Sequence, residues 1–274
     1  MFNKLNLKFY LCYKVSQRGF VLYTVYILGT AGSGKSHLTQ ALVDFLKAKD
    51  QSVASLNLDP GVIDLPYIPD MDVRDYVDVY DIMERYRLGP NGALILAADM
   101  IAAHIDELRR DVEDLKVDYL IVDTPGQLEL FAFRASGPLI ASTLTDGIKV
   151  IVYLFESTFS SDPFNYMSNM FLSAAIYSRF LLPQIHVISK SDLVSDEVIE
   201  EMISWYEDEE ALENAIESRL TGERYIFTRR LRLSLKDLCS VSALIPVSSK
   251  TGLGLTELSA ALTRIFTGGE ELLI

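Results

Sequence analysis

The sequence predicts an α/β domain: a doubly wound, mostly parallel sheet with helices on both faces and a helical insertion. Three observations carry this. From Tyr23 onward, short runs rich in Val, Ile and Leu alternate with amphipathic stretches, the pattern of a parallel sheet buried on both faces. A glycine-rich turn, Gly29 to Ser36, joins the first run to the first helix. Polar or acidic strings then stand at the ends of later runs, where such sheets bind ligands.

The elements follow in order. Tyr23 to Leu28 reads as a buried strand, and Ser33 to Lys49 as a helix with Leu38, Leu42, Phe45 and Leu46 on one face. Ser52 to Leu58 is a second strand and Arg74 to Tyr86 a helix. Gly92 to Asp114 reads as one long helix carrying Leu96, Met100, Ala103 and Leu108. Further strands are expected at Val117 to Val122, Ile148 to Phe155, Ile185 to Ser189 and Ala243 to Val247. Helices are expected at Asn165 to Phe180 and Gly254 to Phe266. Right-handed crossovers make the arrangement doubly wound.

Composition narrows the function. The chain of 274 residues is 49% apolar, enough for a large core without staples. Its two cysteines, Cys12 and Cys239, exclude a disulfide scaffold and point to a reducing, cytoplasmic setting. With 25 basic and 38 acidic residues the net charge is −13, which argues against direct nucleic acid binding. No apolar run reaches the ~20 residues of a membrane span, so no membrane partner is expected. Residues 1–22 read as an N-terminal extension, either an over-long start with the true one near Val21 or an extra hairpin. Residues 23–267 form the domain, with a helical insertion at about 195–240, and 268–274 are a tail. Ten acids and no base lie between Asp196 and Glu217, and six bases against one acid between Arg219 and Lys236. Two mutually pairing helix faces explain this better than a docking surface.

Gly29-Thr-Ala-Gly-Ser-Gly-Lys-Ser36 fits G-x-x-x-x-G-K-[ST], between a strand and a helix as the motif requires. Gly29, Ala31, Gly32, Ser33 and Gly34 let backbone N–H groups curl around phosphate, assisted by the helix N-terminus. Lys35 supplies charge to the β and γ phosphates, and the Ser36 hydroxyl is placed for Mg2+. His37, next in line, either touches nucleotide or sits on the helix surface. Val117 to Asp123 is an apolar strand ending in an acid, the expected Mg2+ partner. In the following Thr124-Pro-Gly-Gln127, Gly126 offers an N–H to the γ-phosphate and Gln127 orients water. Lys35 and Asp123 lie 88 residues apart, leaving room for the extra strand that ends in Asp59-Pro-Gly61. Asp59 is read as a second carboxylate beside the phosphates and Mg2+; the alternative is a helix or turn cap before Pro60.

Ser189-Lys-Ser-Asp192 follows another strand and resembles the N-K-x-D guanine motif. Asp192 would accept from guanine N1–H and N2–H2, donors that adenine lacks. The Lys190 stem would lie against the base. Ser189 stands where Asn is usual, so its contact to base or phosphate loop is expected to be weakened or water-mediated. Ser248 and Ser249, after the last strand, resemble the loop that meets guanine O6. Read alone, Gly89-Pro-Asn91 is a helix stop followed by Asn91 as an N-cap.

Together with these strings and Asp72-Val-Arg-Asp75, Gly89-Pro90-Asn91 makes residues 23–267 resemble the GPN-loop GTPases, most closely single-type archaeal members. They stand within the class of signal-recognition GTPases and Min-type ATPases. The resemblance implies GTP hydrolysis to GDP and phosphate by a homodimeric switch, with Mg2+. The Gly-Pro-Asn loop of one subunit would place Asn91 at the γ-phosphate held by Lys35 of the other. Asp59 and Gln127 would position the water, and Ser36, Asp59 and Asp123 would hold Mg2+. Eukaryotic relatives imply a protein client, RNA polymerase during its assembly. A nucleotide-gated scaffold and a P-loop kinase are the alternatives. Arg74 reads as a phosphate contact or surface ion pair, and Trp205 as a core anchor. His104 and His186 read as structural, and Glu129 as a brace beyond Gln127.

Overall fold

The computed structural model describes residues 21–217 and 243–268. The N-terminal extension, the basic limb of the insertion and the C-terminal tail fall almost wholly outside the described residues. A seven-stranded sheet runs in the order β3-β2-β4-β1-β5-β6-β7, every pairing parallel. Its strands are β1 (Tyr23–Gly29), β2 (Val53–Asn57), β3 (Met71–Asp72), β4 (Tyr119–Asp123), β5 (Ile148–Glu156), β6 (Gln184–Ser189) and β7 (Leu244–Val247).

Alternate side chains of each central strand feed two cores, as the unbroken apolar runs require. One core joins Val25, Ile27, Ile121, Val152 and Leu154 to α1 (Lys35–Lys47) and α11 (Leu255–Phe266). The other joins Tyr26, Leu28, Leu56, Val122 and Tyr153 to the helices of the opposite face. Those are α2 (Val79–Tyr86), α3 (Pro90–Ala103), α4 (Ile105–Leu115), α5 (Leu128–Phe131), α6 (Ser136–Thr143), α8 (Pro163–Phe180), α9 (Asp196–Glu207) and α10 (Glu209–Glu217), while the short α7 (Ser157–Ser160) directly after β5 buries only Ser157 and Ser160. Trp205 is buried and meets Tyr166 edge-on at 5.3 Å, the core anchor expected of it. None of these helices among the described residues is long and apolar enough to cross a membrane.

Three expectations need correction. The helix over Gly92 to Asp114 is two helices, α3 and α4, broken at His104 (φ −90°, ψ 11°). The buried stripe of α3 is Ala93, Ala97 and Ile101, while Ala103 is exposed. Spacing of four over-rotates by about 40° per step against a 3.6-residue turn. The break at His104 resets the face, so that Ile105, Leu108 and Val112 also pack inward. Similarly, Arg74 to Tyr86 divides into a 3-10 turn (Val73–Asp75) and α2, each started by its own aspartate cap, Asp72 and Asp78. Lastly, α3 is capped by Gly89, with Pro90 at its first position; Asn91 lies in the first turn and is not the cap.

Candidate nucleotide site

Because all strands are parallel, the strings that end or follow a strand lie at one edge of the sheet, beyond the strand C-termini; Gly89-Pro90-Asn91, between two helices, is the exception. β1 and β4 are neighbours, with Ile27 opposite Asp123, so the glycine-rich turn and the acid meet. Gly32 and Gly34 take φ of 76° and 92°, values that L side chains rarely adopt, and the chain curls before entering α1. Helix α1 therefore begins at Lys35; Ser33 and Gly34, assigned to the helix from sequence, belong to the loop.

Lys35 is buried, and its Nζ donates to the carbonyls of Gly29 (3.2 Å) and Thr30 (3.0 Å). Burial lowers its proton affinity, against the pull of Asp123 and Asp59. Asp123 shows the reverse: burial pushes its carboxyl up to about 6, opposed by the nearby Ser36 hydroxyl, Lys35 and Tyr67. Its Oδ2 accepts from the Tyr67 hydroxyl at 3.2 Å. Its Oδ1 is buried without a hydrogen bond. An acidic oxygen kept dry beside a serine hydroxyl fits a Mg2+ ion. No group of three or more His, Cys, Asp or Glu among the described residues is placed to hold a metal alone. Such a Mg2+ would lean on substrate phosphates for its remaining ligands.

Asp59 reaches the same place from the end of β2. Its Oδ2 accepts from the Gly126 N–H at 3.1 Å and its Oδ1 from the Gly61 N–H at 2.9 Å. It thus makes the turn contact weighed as the alternative and also holds the Gly126 N–H, the group expected from sequence to meet a γ-phosphate. Asn57 holds it, accepting from the Asp59 N–H (3.0 Å) and donating to the Asp59 carbonyl (3.1 Å). Gln127 precedes α5 at the rim.

The base-side strings also converge. Ser248 Oγ donates to Asp192 Oδ1 at 2.7 Å. The loop around it is tight, with Ser248 N–H donating to the Leu253 carbonyl and Thr251 N–H to Ser248 Oγ. Ser249 lies in the same turn. Ser189 Oγ donates directly to the Ser33 carbonyl at 2.8 Å, which corrects the weakened or water-mediated contact expected of it. The shorter side chain suffices because β6 runs close to the phosphate loop. Lys190 takes a left-handed φ of 55°. Its stem passes Gly34, whose added Cβ would stand 3.6 Å from Lys190 Cε, and its ammonium pairs with Glu156 at 3.5 Å.

Other residues sort plainly. His37 is exposed on α1. Arg74 forms an ion pair with Asp72 at 2.6 Å and no phosphate contact is needed to explain it. His186 is buried, its Nδ1 2.9 Å from the Tyr206 hydroxyl. Glu129 is exposed. Gly89, Pro90 and Asn91 are also exposed, at the start of α3. Sequence reasoning missed Tyr67, Asn57 and Glu156. Only Tyr67 carried a signal: an aromatic between Pro66 and Pro69 in a loop following a strand end.

A parallel sheet with this loop, lysine, serine and acid defines a P-loop nucleotide-binding protein. Residues 27–268 match a family profile described as a conserved hypothetical ATP binding protein. The chain is 33% identical over 236 residues to GPN-loop GTPase 1 of Dictyostelium discoideum, covering 85% of this chain and 59% of that one. It is 34% identical over 248 residues to GPN-loop GTPase 1 of Saccharomyces cerevisiae, covering 86% and 64%. It therefore spans about three fifths of the length of these relatives. The crystal structure of a GTPase from Pyrococcus abyssi, in its apo form, superposes with a TM-score of 0.78 at 29% identity, covering 89% of this chain and 97% of that one. The chain belongs to the GPN-loop GTPase family.

Proposed function

We propose that the protein binds GTP with Mg2+, hydrolyses it to GDP and phosphate, and works as a homodimeric switch. One observation carries the choice of GTP over the ATP named in the family description: Ser248 holds the Asp192 carboxylate at 2.7 Å beside a loop tied to the phosphate site. A fixed acceptor there matches the two donors on guanine's edge and is left unmatched by adenine.

Lys35 would turn from the Gly29 and Thr30 carbonyls to the β and γ phosphates. Gly126 N–H would bind a γ oxygen, and Asp59 with Gln127 would orient the attacking water. Mg2+, held by Ser36 and Asp123 with Asp59 nearby, neutralises charge on the phosphates when bound. The Gly-Pro-Asn loop favours completion by a second subunit. Gly89 has an ordinary φ of −71°, and a Cβ there would meet nothing within 4 Å. Among the described residues no contact explains a glycine at that position, and close approach of another surface would. Asn91 would then give an uncharged amide donor to the transferred phosphate. Assistance to assembly of a protein complex, RNA polymerase by resemblance, belongs to the same proposal, as does a cytoplasmic setting.

Calorimetry with GTP, GDP and ATP, followed by release of free phosphate, tests the reading. Tight guanine binding, weak adenine binding and free phosphate are expected. Equal binding of ATP and GTP overturns it, and transfer of the γ-phosphate to an acceptor favours a kinase.

A further inference from the structure

Asp59 does something that its position at a strand end does not require. Its Oδ2 accepts the Gly126 N–H at 3.1 Å, the donor that faces the terminal phosphate in the reading above. The bond is built in. Oδ1 is anchored on the Gly61 N–H, and Asn57 brackets the Asp59 backbone from both sides. A Cβ added at Gly126 would lie 3.9 Å from Asp59 Oδ2, and no other atom of the described residues outside the glycine and its chain neighbours would come within 4 Å of it. Eight residues on, the Tyr67 hydroxyl donates to Asp123 Oδ2 at 3.2 Å. Between them Arg74 Nη1 donates to the carbonyls of Val62 (3.2 Å) and Ile63 (3.4 Å). Segment 59–67 is thus tied at both ends to the Asp123–Gly126 turn and in the middle to Arg74.

We propose that Asp59 is the residue by which this protein tells a nucleoside triphosphate from a diphosphate. Its carboxylate holds the hydrogen-bonding position of a γ-phosphate oxygen on Gly126, and Tyr67 latches the same segment onto Asp123. The inference rests on the GTP reading above. A backbone N–H has one hydrogen and serves one anionic acceptor well. Two anions brought to one donor also repel at short range. A diphosphate ends short of Gly126 and leaves the bond intact. A triphosphate has to displace the carboxylate, which leaves segment 59–67 held only by Tyr67 on Asp123 and by Arg74. Asp59 then lies next to the terminal phosphate, released from the amide, where a carboxylate can orient water.

Equilibrium titration of fluorescent GDP and a non-hydrolysable fluorescent GTP analogue, both with Mg2+, tests this on the full chain. For Asp59→Ala the preference for the triphosphate over the diphosphate should rise about tenfold, the worth of one charge-assisted hydrogen bond. GDP affinity should stay within about threefold of wild type. Asp59→Asn keeps an acceptor oxygen and loses the charge, so its rise should be smaller, about threefold, and it decides the matter if the alanine variant does not fold. In the wild type, amide hydrogen exchange over residues 60–68 should be faster with the GTP analogue than with GDP. An unchanged or lowered preference in the foldable variant overturns the proposal, as does equal exchange in the two nucleotide states. Wild-type protein that binds neither nucleotide overturns the GTP reading itself, and this inference with it.

Discussion

The Ser189 hydroxyl donates to the Ser33 carbonyl at 2.8 Å, joining residues 156 positions apart in the chain. The bond is buried and fastens the strand that delivers Lys190 and Asp192 to the loop that curls ahead of Lys35. Ser189→Ala should therefore act on both stability and ligand affinity. It should lower stability by about 1 kcal/mol in urea unfolding and weaken GDP binding by about three- to tenfold in calorimetry. Wild-type GDP affinity in the variant would show that the tie is mechanical only.

Asp192 makes a sharper prediction. Asp192→Asn replaces an acceptor oxygen by an amide that also donates, so guanine loses its match. GTP affinity should fall by about a hundredfold or more. Xanthosine triphosphate, with a carbonyl where guanine has its exocyclic amine, should gain affinity in the same variant. Parallel titrations of both nucleotides against both proteins check it.

Asn91 tests where the Gly-Pro-Asn loop acts. Asn91→Ala should cut turnover by about a hundredfold with nucleotide affinity nearly unchanged. Mixing it with Lys35→Ala separates action within a chain from action across a dimer. In a mixed dimer the Asn91→Ala chain keeps its Lys35 and receives the partner's Asn91. Equal mixing should restore up to about a quarter of wild-type turnover if subunits exchange freely. No recovery after verified exchange places the asparagine in its own chain's site.

His186 gives a pH signature apart from the site. Burial depresses its folded-state value to about 4 from 6.5. Above pH 6.5 it is neutral folded or unfolded. Between 6.5 and 4 only the unfolded chain takes the proton, so stability falls as pH falls. At pH 5 the loss should be about 2 kcal/mol relative to pH 7.5. His186→Gln should remove that share, seen as a smaller difference between urea unfolding curves at the two pH values.

Much of this was legible in the sequence. The strands were, because a sheet buried on both faces leaves runs such as Leu120, Ile121 and Val122 without polar interruption. Lys35, Asp123, Asp192 and Ser248 were, because each ends or follows such a run. The break at His104 was not. His104 is a tolerable helix residue, and the bend serves the packing of Ile101 and Ile105 on one face, a tertiary demand. β3 escaped because Met71–Asp72 is only a two-residue strand, set beside β2. Ser189 was misjudged because a residue-for-residue comparison with Asn ignores how near the backbone passes. Tyr67 and Asp59 show the same limit from the other side. Their partners, Asp123 and Gly126, are dozens of residues away, and no local periodicity encodes a loop that folds back across a strand end.

The uniform direction of the seven strands divides the molecule's exterior into two territories with different tolerances. At the leading margin, near Tyr23, Val53 and Tyr119, an exchange of side chains alters how firmly the body holds together. At the trailing margin, on the reading proposed above, the identical exchange would alter which molecule is handled and how. Sequence divergence can accumulate on the first while the second stays under constraint, so two distant members of this lineage can share little and still handle their ligand alike.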